Sequence, residues 1–348
     1  FLIGVLSSFV LLAALLVGLR EFGLPVGWGF QLQVPVVVAS LAMLFFAIGL
    51  NLLGVFEIGT RLMGAGSGLA DQPGKRGAFF TGVLAVVVAA PCVGPLAAGA
   101  LGLALTQPAI VVLLVAAAMG LGLAAPFVVF AFAPSLLRVL PRPGQWMVIF
   151  KQLLAFPMFA SVVWLGWVLS IQSGATGVLL LGIAMVLFGF AVWAHSVKGA
   201  AWSVLAAIAF AATIASVVGV SRLPAATATP VDGARYETWS EARVAELQAG
   251  GQAVFVDVTA AWCVTCQVNK VTVLNDRNVQ EAFERLDVVE MRADWTNRDE
   301  AITQLIYSHG QAGVPLYLLY PANSGEPEVL PIVLTRSGLV EALEAAAG

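Results

Sequence analysis

Charge is scarce in this chain. Only 11% of its residues are Asp, Glu, Lys or Arg, 60% are hydrophobic, and the mean hydropathy is +0.93. A folded domain in water carries a more highly charged surface than that, so the composition excludes a wholly soluble protein. Cysteine is scarcer still, at three residues. An odd count means at least one thiol whose partner is missing, intermolecular or unnecessary. An initiator Met is also lacking, and no signal-peptide pattern opens the chain. It begins with Phe1 inside an apolar run, and the expectation is a fragment trimmed at its N-terminus. No haem motif and no dinucleotide fingerprint occurs, so no cofactor beyond the cysteines is expected.

What charge there is divides unevenly. Up to Arg222 there are nine Lys/Arg and three Asp/Glu, and after it eight and seventeen. A basic, apolar first part precedes an acidic part of ordinary soluble composition. The acidity of the second part argues against nucleic acid as a partner.

The first part contains apolar runs long enough to cross a lipid bilayer. Seven spans fit, at about 1–19, 34–56, 78–104, 109–133, 147–170, 176–195 and 200–220. Arg61, Lys75, Arg76, Arg138, Arg142 and Lys198 fall in loops on one side, with Lys151 just inside the helix that follows its loop. Arg20 and Arg222 fall on the other side. The excess of positive charge marks the first set as cytoplasmic. The chain after Arg222 is then expected outside the cytoplasm, and an odd number of spans asks for one more helix upstream. The expected domains are 1–222 in the membrane, a linker at 223–235, and 236–348 as a soluble α/β unit. Gly68 to Lys75 resembles a phosphate loop only loosely. Five residues separate its glycines instead of four, Arg76 stands where Ser or Thr would bind magnesium, and no strand precedes it. It reads as a linker.

The soluble part alternates helical and strand patterns. Helices are expected at 238–249, after the cysteine pair, at 278–285, at 299–308 and at 336–346. Strands are expected at 253–259, 288–293, 315–320 and about 328–333. One strand runs into Asp257-Val-Thr-Ala-Ala-Trp-Cys-Val-Thr-Cys266. A Cys-x-x-Cys pair at a helix start sets Cys263 near unpaired N–H groups and the positive helix end, which favours the nucleophilic thiolate. Cys266 lies one turn further on, close enough to close a disulfide and release a bound partner. Trp262 shields the pair. Asp257 is placed to lie beneath it and take a proton from Cys266. A structural disulfide over so short a loop stabilises little. A zinc site wants two more ligands, and this part offers only His309. A copper-carrying pair stays open as a reading. His195 and His309 both read as solvated.

Cys92 stands apart, in Ala90-Pro-Cys-Val-Gly-Pro95 within the third apolar run. Pro91 and Pro95 remove helical N–H donors and break the ladder. Breaks at membrane depth are tolerated where they line a cavity or are buried in protein, so Cys92 becomes a candidate that can be reached from either side.

The set Asp257, Trp262-Cys263-x-x-Cys266 and Val314-Pro315 resembles the thioredoxin family position by position. The pair Val264-Thr265 inside the motif resembles the C-terminal domain of the DsbD/ScsB family of membrane thiol:disulfide interchange proteins. Ala90–Leu96, Met119–Pro126 and Leu140–Trp146 resemble segments of that family's membrane domain. The resemblance implies a polytopic helical membrane domain, eight helices in the family and seven present here, followed by a thioredoxin fold. It implies a cis proline at Pro315 opposite the cysteines. It implies that Cys92 is the second of two membrane cysteines, the first lying in a helix upstream of Phe1. Electrons would pass from cytoplasmic thioredoxin through the membrane pair to Cys263–Cys266, and on to periplasmic thiol–disulfide proteins, across the bacterial inner membrane and amid its lipid. Lys270 departs from the family, which often carries an acidic residue four past the second cysteine. Two other readings are a transporter with a fused thioredoxin-like sensor and a copper-tolerance protein that binds metal through its cysteines. The first is weakened by the near absence of acidic residues in the spans, where Glu57 sits only at an end. Through the resemblance, copper enters as a stress met by thiol redox.

Overall fold

The computed structural model describes residues 1–21, 30–56, 77–86, 109–132, 145–197, 199–224, 226, 235–311, 313–322 and 325–348. The chain divides into two compact units, with the second built mainly from Ala225–Gly348.

The first unit is helical. Its described helices are α1 (Leu2–Glu21), α2 (Pro35–Leu53), α3 (Gly77–Val86), α4 (Ala109–Phe132), α5 (Gln145–Leu153), α6 (Ala155–Ser196) and α7 (Ala200–Val220). Among the described residues, three helical stretches are long and apolar enough to cross a membrane: Pro35–Leu53, Gln145–Ser196 and Ala200–Val220. Pro35 sits at the start of α2, where its missing N–H costs nothing. Gly54 ends α2 in the left-handed conformation at φ 80°. There the Val55 N–H returns to the Leu50 carbonyl at 3.1 Å, which satisfies an end carbonyl.

The expected spans at 147–170 and 176–195 run on as one stretch with a break at Gly174. Its φ of 67° and ψ of −168° suit only a residue without a side chain. The expected third span is described only over Gly77–Val86. Large apolar side chains such as Leu179, Val186, Trp193 and Ile208 are exposed on α6 and α7. Hydrocarbon accommodates such faces, and water does not.

Small residues let these helices approach. A Cβ on Gly4 would lie 2.3 Å from the Phe79 carbonyl oxygen, and one on Gly82 would lie 2.5 Å from the Phe1 carbonyl oxygen. Thus α1 and α3 meet backbone to backbone, the packing that glycine permits between membrane helices. Gly4→Val is therefore expected to wedge them apart and cost about 1–3 kcal/mol. The check is the thermal midpoint of the detergent-solubilised chain, and an unchanged midpoint would mean the contact carries no stability. Elsewhere Gly49 faces the Phe159 ring, and Phe46 meets Phe159 and Phe188 edge to face at 6.0 and 6.3 Å.

The second unit is a sheet with helices. Its elements are β1 (Glu237–Thr238), α8 (Glu241–Ala249), β2 (Val254–Thr259), α9 (Val264–Asn269) with a π turn over Lys270–Leu274, α10 (Arg277–Arg285), β3 (Val289–Asp294), α11 (Glu300–Ser308), β4 (Leu316–Tyr320), β5 (Glu328–Leu330) and α12 (Arg336–Ala347). The strand order is β1-β3-β2-β4-β5. β2 runs parallel to β3 and antiparallel to β4, and β4 runs antiparallel to β5. All six residues of the central strand β2 are buried, which accounts for its nearly unbroken apolar run. Phe255, Phe283, Tyr317, Leu339 and Leu343 form one core, with the Phe255 ring stacked on Tyr317 at 6.0 Å.

Two boundaries differ from the sequence expectation by more than one residue. The helix expected from 238 begins at Glu241, because the Ser240 hydroxyl accepts the Arg243 N–H at 3.3 Å and caps it. The residues ahead of it instead pair with β3, and the Trp239 N–H donates to the Arg292 carbonyl at 2.9 Å. The last strand stops at Leu330, since Pro331 has no N–H to continue the ladder.

Candidate active site

β2 delivers the chain into the cysteine pair, and Cys263 and Cys266 are joined by a disulfide. The Cys263 sulfur caps α9 and accepts the Cys266 N–H at 3.1 Å. The two sulfur-bearing residues are not equivalent. Cys263 is 7% exposed and Cys266 is 0% exposed. Only Cys263 presents surface to an incoming molecule.

The loop ahead of the pair is held from β3 and the residues after it. The Thr296 hydroxyl accepts the Ala261 N–H at 2.8 Å, and its carbonyl accepts the Trp262 indole N–H at 3.4 Å. The Trp262 ring lies 6.2 Å from that of Trp295, whose own indole N–H donates to the Thr303 hydroxyl at 2.9 Å. Asp294 holds Thr296 in turn, accepting its N–H at 2.9 Å and its hydroxyl. On the helix side, the Gln267 amide donates to the Ala260 carbonyl at 3.1 Å.

Asp257 lies on β2, wholly buried, opposite Arg292 on β3 and Tyr317 on β4. Its Oδ2 accepts from the Arg292 Nε at 3.2 Å, while its buried Oδ1 has no hydrogen-bond partner among the described residues. Burial pushes the Asp257 carboxyl above the usual carboxylate range, and the charges of Lys270 and Arg292 oppose the rise. Burial lowers the Lys270 ammonium, against the pull of Asp257. Glu290 is raised by burial as well. Tyr317 is raised by burial and by Asp257, and its hydroxyl accepts from the Asn269 amide at 3.0 Å.

The peptide bond Val314–Pro315 is cis. Leu316, the next residue, pairs with Val258 near the end of β2. Pro315 therefore lies at the end of the sheet where β2 gives way to the cysteine loop. Cys92, Pro91 and Pro95 lie outside the described residues. Sequence reasoning named Asp257, Trp262, Cys263, Cys266 and Pro315, but it overlooked Arg292 and Glu290. Their signal was the alternation Glu290-x-Arg292-x-Asp294, three charged residues on one face of a strand. Among the described residues, no three His, Cys, Asp or Glu gather as metal ligands.

Residues 5–170 match the family described as the cytochrome C biogenesis protein transmembrane domain, and residues 235–322 match the thioredoxin-like family. The chain is 25% identical to the thiol:disulfide interchange protein DsbD of Actinobacillus pleuropneumoniae, over 92% of this chain and 56% of that protein. It is 30% identical to the thiol:disulfide interchange protein DsbD 2 of Pseudomonas aeruginosa, over 92% of this chain and 59% of that protein. A crystal structure of the Neisseria meningitidis DsbD C-terminal domain in the oxidised form, 19% identical, covers 32% of this chain and 98% of its own, with a TM-score of 0.27. The chain spans 56 to 61% of the length of the first curated relatives it matches.

Proposed function

The chain belongs to the DsbD/ScsB family of membrane thiol:disulfide interchange proteins, and we propose that it is a transmembrane protein-disulfide reductase. The observation that supports this best is the asymmetry of the disulfide, a Cys263 that keeps 7% of its surface exposed bonded to a fully enclosed Cys266. In the reduced pair, the Cys263 thiolate attacks a substrate disulfide and forms a mixed disulfide. Cys266 gives its proton to Asp257 and attacks the Cys263 sulfur, which expels the second substrate thiolate. The segment before β4, ending at Pro315, offers its backbone edge to an extended substrate chain.

The electrons come from cytoplasmic thioredoxin through a membrane cysteine pair that includes Cys92, in the helix broken by Pro91 and Pro95. They leave for periplasmic proteins. The charge bias of the loops supports a cytoplasmic-membrane location with the thioredoxin-like unit in the periplasm. Cys92→Ser is expected to abolish reduction fed by thioredoxin while leaving reduction fed by dithiothreitol at Cys263 intact.

The experiment that tests the exchange chemistry is Cys266→Ala expressed in cells. Without a resolving thiol, adducts are expected to accumulate and run as bands above the chain in non-reducing electrophoresis. They should vanish with dithiothreitol and in the double variant with Cys263→Ala. If no adduct depends on Cys263, the reading is wrong.

A further inference from the structure

The helices of the first unit leave a furrow open between α2 and α7. Its α2 wall runs from Val36 to Leu44, its α7 wall runs from Phe210 to Val218, and Phe188 of α6 lines it as well. Its volume is about 360 Å³. The furrow faces outward, since Leu44, Phe210, Ile214 and Val218 are 42 to 52% exposed. The two hydroxyls in its walls are turned back on their own helices. Ser40 donates to the Val36 carbonyl at 2.7 Å, and Thr213 donates to the Ala209 carbonyl at 2.9 Å. The walls therefore offer an occupant only hydrocarbon. The Phe188 ring meets Phe46 and Phe56 edge to face at 6.3 and 6.1 Å, so aromatic packing sets the shape of this side.

Length and charge identify the occupant. Val36 to Leu44 and Phe210 to Val218 each rise about 12 Å along their helices. One leaflet of a bilayer holds about 15 Å of hydrocarbon, half the thickness of the core. The furrow is thus close to one leaflet deep. α2 and α7 hold the second and seventh expected spans, so they run antiparallel, and Val36 and Val218 lie at the same side of the membrane. Arg222 lies one turn past Val218, where its N–H still donates to the Gly219 carbonyl at 3.1 Å. It is exposed, and it makes no ion pair among the described residues. The sequence supplies no Asp or Glu near it, for none occurs from Gln72 to Val231. A lone cation at the mouth of an apolar furrow one leaflet deep complements an anionic head group with a hydrocarbon tail.

We propose that the furrow between α2 and α7 is a binding site for one phospholipid of the leaflet on the Arg222 side, with an acyl chain between the two helices and the phosphate against Arg222. A bilayer lipid has both parts, and it enters sideways without leaving the membrane. Neither cysteine takes part, so the site stands or falls separately from the exchange chemistry.

The test titrates the full chain in detergent with phosphatidylglycerol that carries a diazirine near the end of one acyl chain. After irradiation, the adducts are mapped by peptide mass spectrometry. They are expected to saturate and to fall on furrow residues such as Leu44, Phe188 and Phe210. Excess unlabelled phosphatidylglycerol should suppress them. Ile214→Trp places a larger side chain in the furrow and should remove them. Arg222→Gln should raise the half-saturating lipid concentration about fivefold, the worth of one cation at a lipid surface. It changes no packing, so it decides the matter if Ile214→Trp does not fold. Adducts that grow in proportion to added lipid, or that spread equally over α1 and α4, would mean lipid as solvent only and overturn the proposal. Adducts untouched by either substitution would overturn it as well. An uncharged isoprenoid alcohol that suppresses the adducts at lower concentration than unlabelled phosphatidylglycerol would give the furrow to an isoprenoid chain and overturn the phospholipid.

Discussion

Cys263→Ser is expected to bring disulfide reduction by this chain down to the uncatalysed level. The loss follows from the unequal exposure of the two sulfurs. Cys263 is the one with accessible surface, while Cys266 is fully enclosed. A bulky protein disulfide must meet Cys263 first. Serine keeps the shape of cysteine, but at neutral pH its hydroxyl is not ionised and it has no adjacent base to activate it. The capping contact of the Cys263 sulfur with the Cys266 N–H at 3.1 Å passes to an oxygen, which caps helices at least as well. The fold should therefore survive. The lost disulfide closes a very short loop, worth about 2 kcal/mol in the chain-entropy account. The same domain has a core of its own in Phe255, Phe283, Leu339 and Leu343. The contrast with Cys266→Ala is what makes the result diagnostic. That variant should still attack once and then stall as a mixed disulfide. The check is turnover with a protein disulfide, with dithiothreitol as electron source. Turnover retained by Cys263→Ser and lost by Cys266→Ser would reverse the assigned roles.

The redox pair was legible in the sequence because its chemistry is local. A strand, a tryptophan and two cysteines three apart carry their meaning within ten residues, and β2 and α9 formed where the pattern placed them. Asp257 was legible for the same reason. Arg292 was not, because its role depends on register. Only when β3 lies parallel beside β2 does Arg292 fall opposite Asp257. No property of the segment Val289–Asp294 alone fixes that pairing. The Thr296 contacts to Ala261 and Trp262 were hidden likewise, since they join loops 34 and 35 residues apart. β1 was missed because two residues give no periodicity, and its pairing with β3 is tertiary. In the helical unit, the apolar runs announced the helices. The break between the expected fifth and sixth spans proved to be one glycine at positive φ inside a continuous stretch. Lys270 was visible as a departure from the family pattern. Its action on Asp257 became visible only with the domain folded.

Asp257→Asn is expected to slow resolution by Cys266 about 100-fold at neutral pH, the scale of a lost general base, while leaving the first attack by Cys263 far less affected. Asparagine has the size of aspartate, and its carbonyl can still accept from Arg292, so the geometry is kept. It cannot take a proton, so the mixed disulfide should accumulate as it does in Cys266→Ala, but reversibly. The same substitution should alter how stability depends on pH. Burial holds the folded-state pKa of Asp257 above its unfolded value, about 3.9. The folded domain therefore binds this proton more tightly than the unfolded chain does. The resulting stabilisation is complete below the unfolded value and is lost as pH rises through the folded one, at about 1.4 kcal/mol for each pH unit between the two. Asp257→Asn lacks this loss, so its stability should gain on the parent as pH rises from about 4 through the raised folded value. Glu290, also raised by burial, is present in both chains and cancels in the comparison. Hydrogen exchange of the β2 amides in the oxidised chain, corrected for intrinsic rates, reads the opening free energy of this domain alone. Curves for the two chains that stay parallel across that range would mean Asp257 binds its proton equally in both states. A carboxyl with that property would not be the desolvated acceptor that the buried, half-clamped geometry describes.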